Sequence, residues 1–249
     1  MKKLFLILAL VAFGYANAQG NGDYVNFTFV KTTPGENYGT ILNEKWKELA
    51  QMRVDEGTIT GWDVWMRAGA TTESDWNMLI VTIAKHPDSL SANAGVPKVR
   101  PDYSEMDVEI FSQKNQKART IVYDQTLVNK GLNFAGNQGE TPTAPQVAVL
   151  NFMHVGYENG FDYEAAENRL SSGDLGDRVG WALLKRLDNL GSDVYYDYAT
   201  VDFYSEWSTM MKSREQTNKF TKEIANVLKM REHKQSIPLW LAIQVRAQE

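Results

Sequence analysis

The sequence predicts an α+β fold: two tandem ferredoxin-like βαββαβ units whose sheets close one barrel-like core. Three observations carry that expectation. Short stretches recur in the same order along the chain, and strand-like and helix-like periodicities alternate in the order β-α-β-β-α-β. A polar segment bearing Gly and Pro separates the two copies.

The recurring stretches are specific. Asn26-Phe27-Thr28-Phe29-Val30 returns as Asn151-Phe152-Met153-His154-Val155, and the Gly61-Trp62 to Arg67 frame returns as Gly180-Trp181 to Arg186. Trp76-Asn77 with the apolar run after it matches Tyr196-Asp197, and Lys117-Ala118-Arg119 matches Lys229-Met230-Arg231. Any one match is weak, but four in register indicate a duplicated unit.

The elements follow in order. Tyr24 to Lys31 alternates and is rich in aromatic and β-branched residues, hence a strand. Tyr38, Ile41, Leu42, Trp46, Leu49 and Met52 recur at helical spacing and stop at Gly57 and Gly61. Thr60 to Arg67 and Trp76 to Lys85 read as strands about a Gly69 turn. A loop with Pro87, Pro97 and Pro101 follows, then a helix from Tyr103 to about Val122 and a weak strand from Tyr123 to Phe134. In the second copy, Trp207, Met210, Met211, Phe220, Ile224, Val227 and Leu228 stripe one long helix. Pro238 breaks the chain before a last strand, Leu239 to Val245. The expected organisation is a signal peptide over 1–18, a first repeat over 19–135, a linker over 136–145 and a second repeat over 146–249. A unit of this kind leaves one sheet face uncovered by helices, and two such faces from one chain can cover each other.

Composition narrows the function classes. At 43% hydrophobic and 23% charged, the 249 residues are too apolar for disorder and too charged for an integral membrane protein. Zero Cys excludes disulfides, thiolate catalysis and Cys-ligated metals. Lys2 and Lys3, an apolar run from Leu4 to Phe13, and Ala16-Asn17-Ala18 form a secretory signal with Gln19 as the expected mature start. A helix of that run rises ~15–21 Å and does not span a ~30 Å hydrocarbon core. The expected destination is periplasmic or secreted. A net charge of −5 with dispersed Lys and Arg gives no reason to expect nucleic acid or membrane insertion.

With its repeated strand, helix and Gly-Trp strand and its late Lys-x-Arg helix, the chain resembles the dimeric α/β-barrel superfamily. Within it, the chain is similar to exported tandem proteins of Bacteroidetes-type bacteria. The resemblance implies the fold and leaves function open. The superfamily includes cofactor-free monooxygenases, haem-degrading enzymes, dye-decolorising peroxidases and stress-response proteins.

Candidate site residues are few. His154 aligns with Phe29 and reads as a core or cavity-edge histidine, with catalysis or haem ligation as the sharper alternatives. His86 and His233 read as structural. Asn26 and Asn151 share a strand position and either bond each other or orient a polar ligand. Trp62 and Trp181 either fill a core or wall a cavity. Arg67 and Arg186, five residues further on, fall on the opposite strand face and either pair with acidic residues or rim the cavity entrance. The third-strand cluster Trp65, Trp76, Asn77, Tyr196, Asp197 and Tyr198 either fills the barrel or lines a site. No His-x-x-x-His pair, phosphate loop or nucleophile elbow occurs, so neither metal nor cofactor is expected. The leading expectation is an exported protein that binds a small molecule or a protein partner through a barrel-like cavity. The alternative is a cofactor-independent monooxygenase-like enzyme using His154 and Asn151. Monomer and homodimer both remain open.

Overall fold

The computed structural model describes residues 21–91, 102–135, 145–215 and 221–247. The expected signal segment, Pro97, Pro101, Phe220 and all but Pro145 of the linker lie outside the described residues.

Eight antiparallel strands close a barrel in the order β1-β3-β2-β8-β5-β7-β6-β4. They are β1 Tyr24–Thr32, β2 Gly61–Arg67, β3 Met78–Ala84, β4 Arg119–Phe134, β5 Val147–Val155, β6 Gly180–Arg186, β7 Tyr198–Tyr204 and β8 Arg231–Arg246. Helix α1 runs over 38–55, with a π-helical stretch Leu42–Trp46 between the α-helical Tyr38–Ile41 and Lys47–Asp55. Helix α2 is Glu105–Ala118 and α3 is Gly160–Ser171; α4 Trp207–Glu215 and α5 Lys222–Met230 precede β8. Each half therefore runs β-α-β-β-α-β, the second with its last helical part in two pieces.

The fourth strands join the halves. The first part of β4 pairs with β1 and its second part with β6, while β8 pairs first with β5 and then with β2. Each skips a residue at two places: Val122 and Lys130 in β4, Lys234 and Ala242 in β8. Bulges of this kind bend a strand and sharpen its twist, which is what lets a long strand turn from one sheet onto the other.

Three element boundaries differ from the sequence expectation. Helix α2 stops at Ala118, because Arg119 is already extended (φ −156°) and begins β4. The long stripe from Trp207 is two helices, the second started by Thr221, whose Oγ1 accepts from the Ile224 N–H at 3.3 Å. Pro238 does not break the last strand. Its carbonyl accepts from Ala68 N–H just past the end of β2, so its missing N–H falls where that ladder has not begun.

Backbone bonds also fix the correspondence between halves. Asn77 N–H donates to the Val30 carbonyl at 3.0 Å, and Asp197 N–H to the Met153 carbonyl at 3.1 Å. Thr32 N–H reaches Asn77 Oδ1 at 3.1 Å and Val155 N–H reaches Asp197 Oδ1 at 2.8 Å. Val30 thus matches Met153, Phe29 matches Phe152 and Thr28 matches Asn151. Two expectations are corrected. Asn26 and Asn151 are not counterparts, and His154 stands where the first half has Lys31, not Phe29. The other three sequence matches agree with the observed registers.

Alternation divides the core into layers. Val25, Phe27 and Phe29 of β1 and Ala148, Leu150 and Phe152 of β5 point into the barrel. Phe29 and Phe152 meet there at 6.2 Å between ring centres, each backed by an aromatic two residues before β3 or β7: Trp76 at 4.9 Å and Tyr196 at 4.6 Å. Fully burying each such ring contributes roughly 1.5–3 kcal/mol. Three further apolar clusters lie outside the barrel wall among the described residues: one about Tyr38, Leu42 and Trp62, one about Tyr163, Leu183 and Trp181, and a smaller one about Val149, Tyr204 and Met210.

Candidate functional site

The barrel interior is nearly full. Its cavity is about 60 Å³ and lined chiefly by apolar side chains, room for waters and not for an organic molecule. The expected cavity between the two sheets is therefore not the candidate site. The larger spaces lie outside the barrel: a cleft of about 480 Å³ between its wall and the helices in the first half, one of about 430 Å³ in the second, and a hollow of about 670 Å³ beside His154.

In the first cleft, Asn26 and Thr28 project outward from β1, and Asp124 approaches from β4. Asn26 Nδ2 donates to Asp124 Oδ1 at 3.0 Å, and the Thr28 hydroxyl lies 2.8 Å from both that oxygen and Asn26 Oδ1. Trp62 of β2 and Tyr38 and Trp46 of α1 form aromatic walls. The wide π turn at Leu42–Trp46 alters the helix phase just where Trp46 enters the cleft, and its indole N–H is held by Asn115 Oδ1 at 2.9 Å. Burial pushes the Tyr38 hydroxyl up to about 12, against the pull of the Arg119 cation beside it.

Two arginines complete this cleft. Arg53, only 7% exposed, donates from Nη2 to the carbonyls of Ser89 and Ser91. Arg119 lies 5.6 Å from the centre of the Tyr38 ring. The Nε of each is buried without an acceptor among the described residues.

The second cleft has the same plan and a different charge pattern. Asn151 Nδ2 donates to Asp202 Oδ2 at 2.9 Å and Thr200 Oγ1 at 3.2 Å, and its Oδ1 accepts from Ser236. Arg178 pairs with Asp202 at 2.8 Å. Arg231, the counterpart of Arg119, bonds Glu167 and the Tyr163 hydroxyl, the latter at 3.1 Å. Burial pushes the Glu167 carboxyl up and Arg231 opposes that shift. Burial likewise pushes Tyr163 up, with the Glu167 charge adding to it. Next to these groups, burial and the Arg231 charge hold His233 below the ordinary histidine range.

The sequence candidates divide accordingly. Asn26 and Trp62 line the first cleft, and Asn151 and Trp181 line the second. The two asparagines do not bond each other: β1 and β5 are not neighbours. Arg67 and Arg186 line neither cleft. Arg67 lies 4.8 Å from the centre of the Trp76 ring and pairs with Asp75 at 2.9 Å. Arg186 lies 5.2 Å from the Tyr196 ring and pairs with Asp188 at 2.8 Å. His154 lies in neither cleft. It lines a third hollow of about 670 Å³, with Nδ1 buried 3.7 Å from Asp197 Oδ2. Glu158, Lys185 and Asp197 share that hollow with Val155, Tyr157, Phe161 and Leu190.

Sequence reasoning passed over Tyr38, Arg53, Glu167 and Arg178, and it used Arg119 and Arg231 only as repeat markers. Those two repeat markers, together with Tyr38 and Tyr163 at matching places in the two first helices, were the available signal.

Neither a protein-family model nor a curated protein matches the sequence. Solved structures do match in shape. A provisionally assigned monooxygenase from Lactobacillus acidophilus superposes with a TM-score of 0.59 at 10% identity, covering 91% of this chain and 97% of its own. An anthrone oxidase-like protein gives 0.56 at 12% identity, over 93% and 96%. A dye-decolorizing peroxidase from Bacteroides thetaiotaomicron gives 0.56 at 11%, over 90% and 94%. At these identities the likeness carries architecture alone, and with the observed strand order it makes the fold a ferredoxin-like, dimeric α/β-barrel type formed within one chain.

Proposed function

We propose that the protein binds a small organic molecule in the first-half cleft, between α1 and the outer wall of the barrel. The supporting observation is the cleft itself: about 480 Å³, walled by Tyr38, Trp46 and Trp62, with the Asn26, Thr28 and Asp124 group to orient a polar substituent. Concave apolar spaces with a few convergent polar groups are where small ligands bind. Within this reading the chain is an exported protein made from a duplicated unit, as its first residues and recurring stretches suggest. Native mass spectrometry of the chain, purified without denaturant from the cells that make it, tests the binding reading. We expect an excess mass that vanishes on denaturation and is lost in Asn26→Ala. A bare mass in wild type counts against it.

A second reading is favoured by the structural neighbour provisionally assigned as a monooxygenase. In a cofactor-independent oxygenase, the protein holds a substrate whose own carbanion reacts with oxygen, and the Asn26 amide, which donates to Asp124 and to the Gln125 carbonyl, would exchange one of those bonds for the developing enolate oxygen. The anthrone oxidase-like neighbour suggests the probe. Oxygen uptake with 1,8-dihydroxyanthrone, above the uncatalysed rate and abolished in Asn26→Ala, supports catalysis. Uptake equal to the uncatalysed rate removes this reading and leaves binding.

A further inference from the structure

We propose that the first-half cleft is a receptor for a singly charged organic anion, a carboxylate on a flat apolar body, held by Arg53 and Arg119. The proposal rests on the binding reading above and names its ligand class.

A guanidinium remains charged under all ordinary conditions. Taking one out of water is costly unless an opposite charge or a full set of acceptors meets it. Arg53 is 93% buried (7% exposed), and among the described residues it has only the Ser89 and Ser91 carbonyls. Arg119 has the face of Tyr38. Neither makes an ion pair with a carboxylate among the described residues, and both line the same cleft; the buried Nε without an acceptor that each keeps is shared by Arg231, so the missing carboxylate is what sets them apart. Burial lowers the proton affinity of Arg53, the direction expected of a cation short of counter-charge.

The second half shows how the same frame looks when its charges are answered from within. There Arg231 meets Glu167 and Arg178 meets Asp202. Glu167 stands four residues after Tyr163; four residues after Tyr38 the first half has Leu42. The cation is kept in both halves, and its partner carboxylate is supplied by the chain in only one. In the first half that carboxylate is left for a ligand to bring.

The lining also selects the body and the charge. Tyr38, Trp46 and Trp62 offer ring faces to a planar molecule. Asp124 is the one carboxylate among the described residues of the lining, and its charge opposes a dianion such as phosphate more than a monoanion.

Isothermal titration calorimetry of the full chain with 2-naphthoate and with neutral, isosteric 2-naphthamide tests this. We expect the acid to bind at least tenfold more tightly than the amide. Arg119→Met should remove that preference. Leu42→Glu, which gives the first half the carboxylate of the second, should weaken the acid at least tenfold and leave the amide unchanged. If either variant fails to fold, Asp124→Asn serves instead, with a larger ratio of acid to amide affinity expected than in wild type. Equal affinities in wild type, or a preference that survives Arg119→Met or fails to grow in Asp124→Asn, overturn the anion proposal while leaving small-molecule binding intact. Binding of neither probe to wild type counts against the binding reading itself and takes the anion proposal with it.

Discussion

At the residue scale, a carboxylate on α3 divides the two clefts. Glu167 is 6% exposed and has a half-buried cation beside it, so removing that cation strands the carboxylate in a medium that solvates it poorly. Arg231→Met is expected to destabilise the fold by about 3 kcal/mol in urea denaturation, and adding Glu167→Leu should recover most of that loss. Asp197 supplies a second test. Burial holds its carboxyl above the ordinary aspartate range, against the Val155 N–H and the His154 charge. The folded chain then binds that proton more tightly than the unfolded chain. The contribution to stability is full below the ordinary aspartate pKa and fades as pH rises through the raised value. Asn77 makes the same backbone bond in the first half without a charge. In Asp197→Asn, stability relative to wild type should therefore improve between pH 4 and pH 7, read from urea midpoints; a relative loss over that range contradicts the assignment. Of the site itself, the sequence revealed Asn26, Trp62, Asn151 and Trp181 but paired the asparagines two residues out of register. A two-residue slip leaves every side chain on its own face, so alternation alone does not detect it. The arginines escaped notice because charge on a helix end or strand start is usually solvated, and only the packed fold shows that these are not.

At the scale of elements, the Gly-Trp frame has a steric basis. A Cβ on Gly180 would overlap the ring of Phe134, which crosses from β4. A Cβ on Gly61 would meet the guanidinium of Arg246 at 2.8 Å, the far end of a flexible side chain held by Asp63. Gly180→Ala should thus cost about 2 kcal/mol, and Gly61→Ala less, by thermal or urea denaturation. Equal costs would mean that the Phe134 ring gives way freely. The strands were legible because period-two alternation reports which face is buried. The long reach of β4 and β8 was not. Ile121 and Tyr123 are exposed, and the bulged residues interrupt the alternation, so the first turns of β4 resemble a continuing helix. Pro238 misled for a related reason: proline stops a strand only where its N–H is needed.

At the scale of the molecule, the halves are interlocked. A first half alone would present two open edges, β2 and the later part of β4, whose partners β8 and β6 belong to the second half. Such edges pair with each other across two copies. A fragment of residues 21–135 is expected to elute as a dimer in light-scattering chromatography, and a stable monomer would show that the ring is dispensable. The tandem order was visible in the recurring stretches, and ring closure followed from the need to cover two sheet faces. What the pattern did not reveal is that the ring fills itself, so that the usable space lies outside it.

The seam between β2 and β8 also bears on how the chain is made. Gly61 pairs with Arg246, so one of the earliest strands waits for one of the last. While a ribosome is still extending the chain, β2 has its inner neighbour β3 and a bare outer edge, and no amount of early folding can cover it. Contacts of such wide separation form late and slowly. Synthesis therefore passes through a long interval in which a half-built barrel offers a sticky strand to its surroundings. A chaperone that shields β2 until residue 246 has emerged would raise the yield of folded protein without altering its final stability.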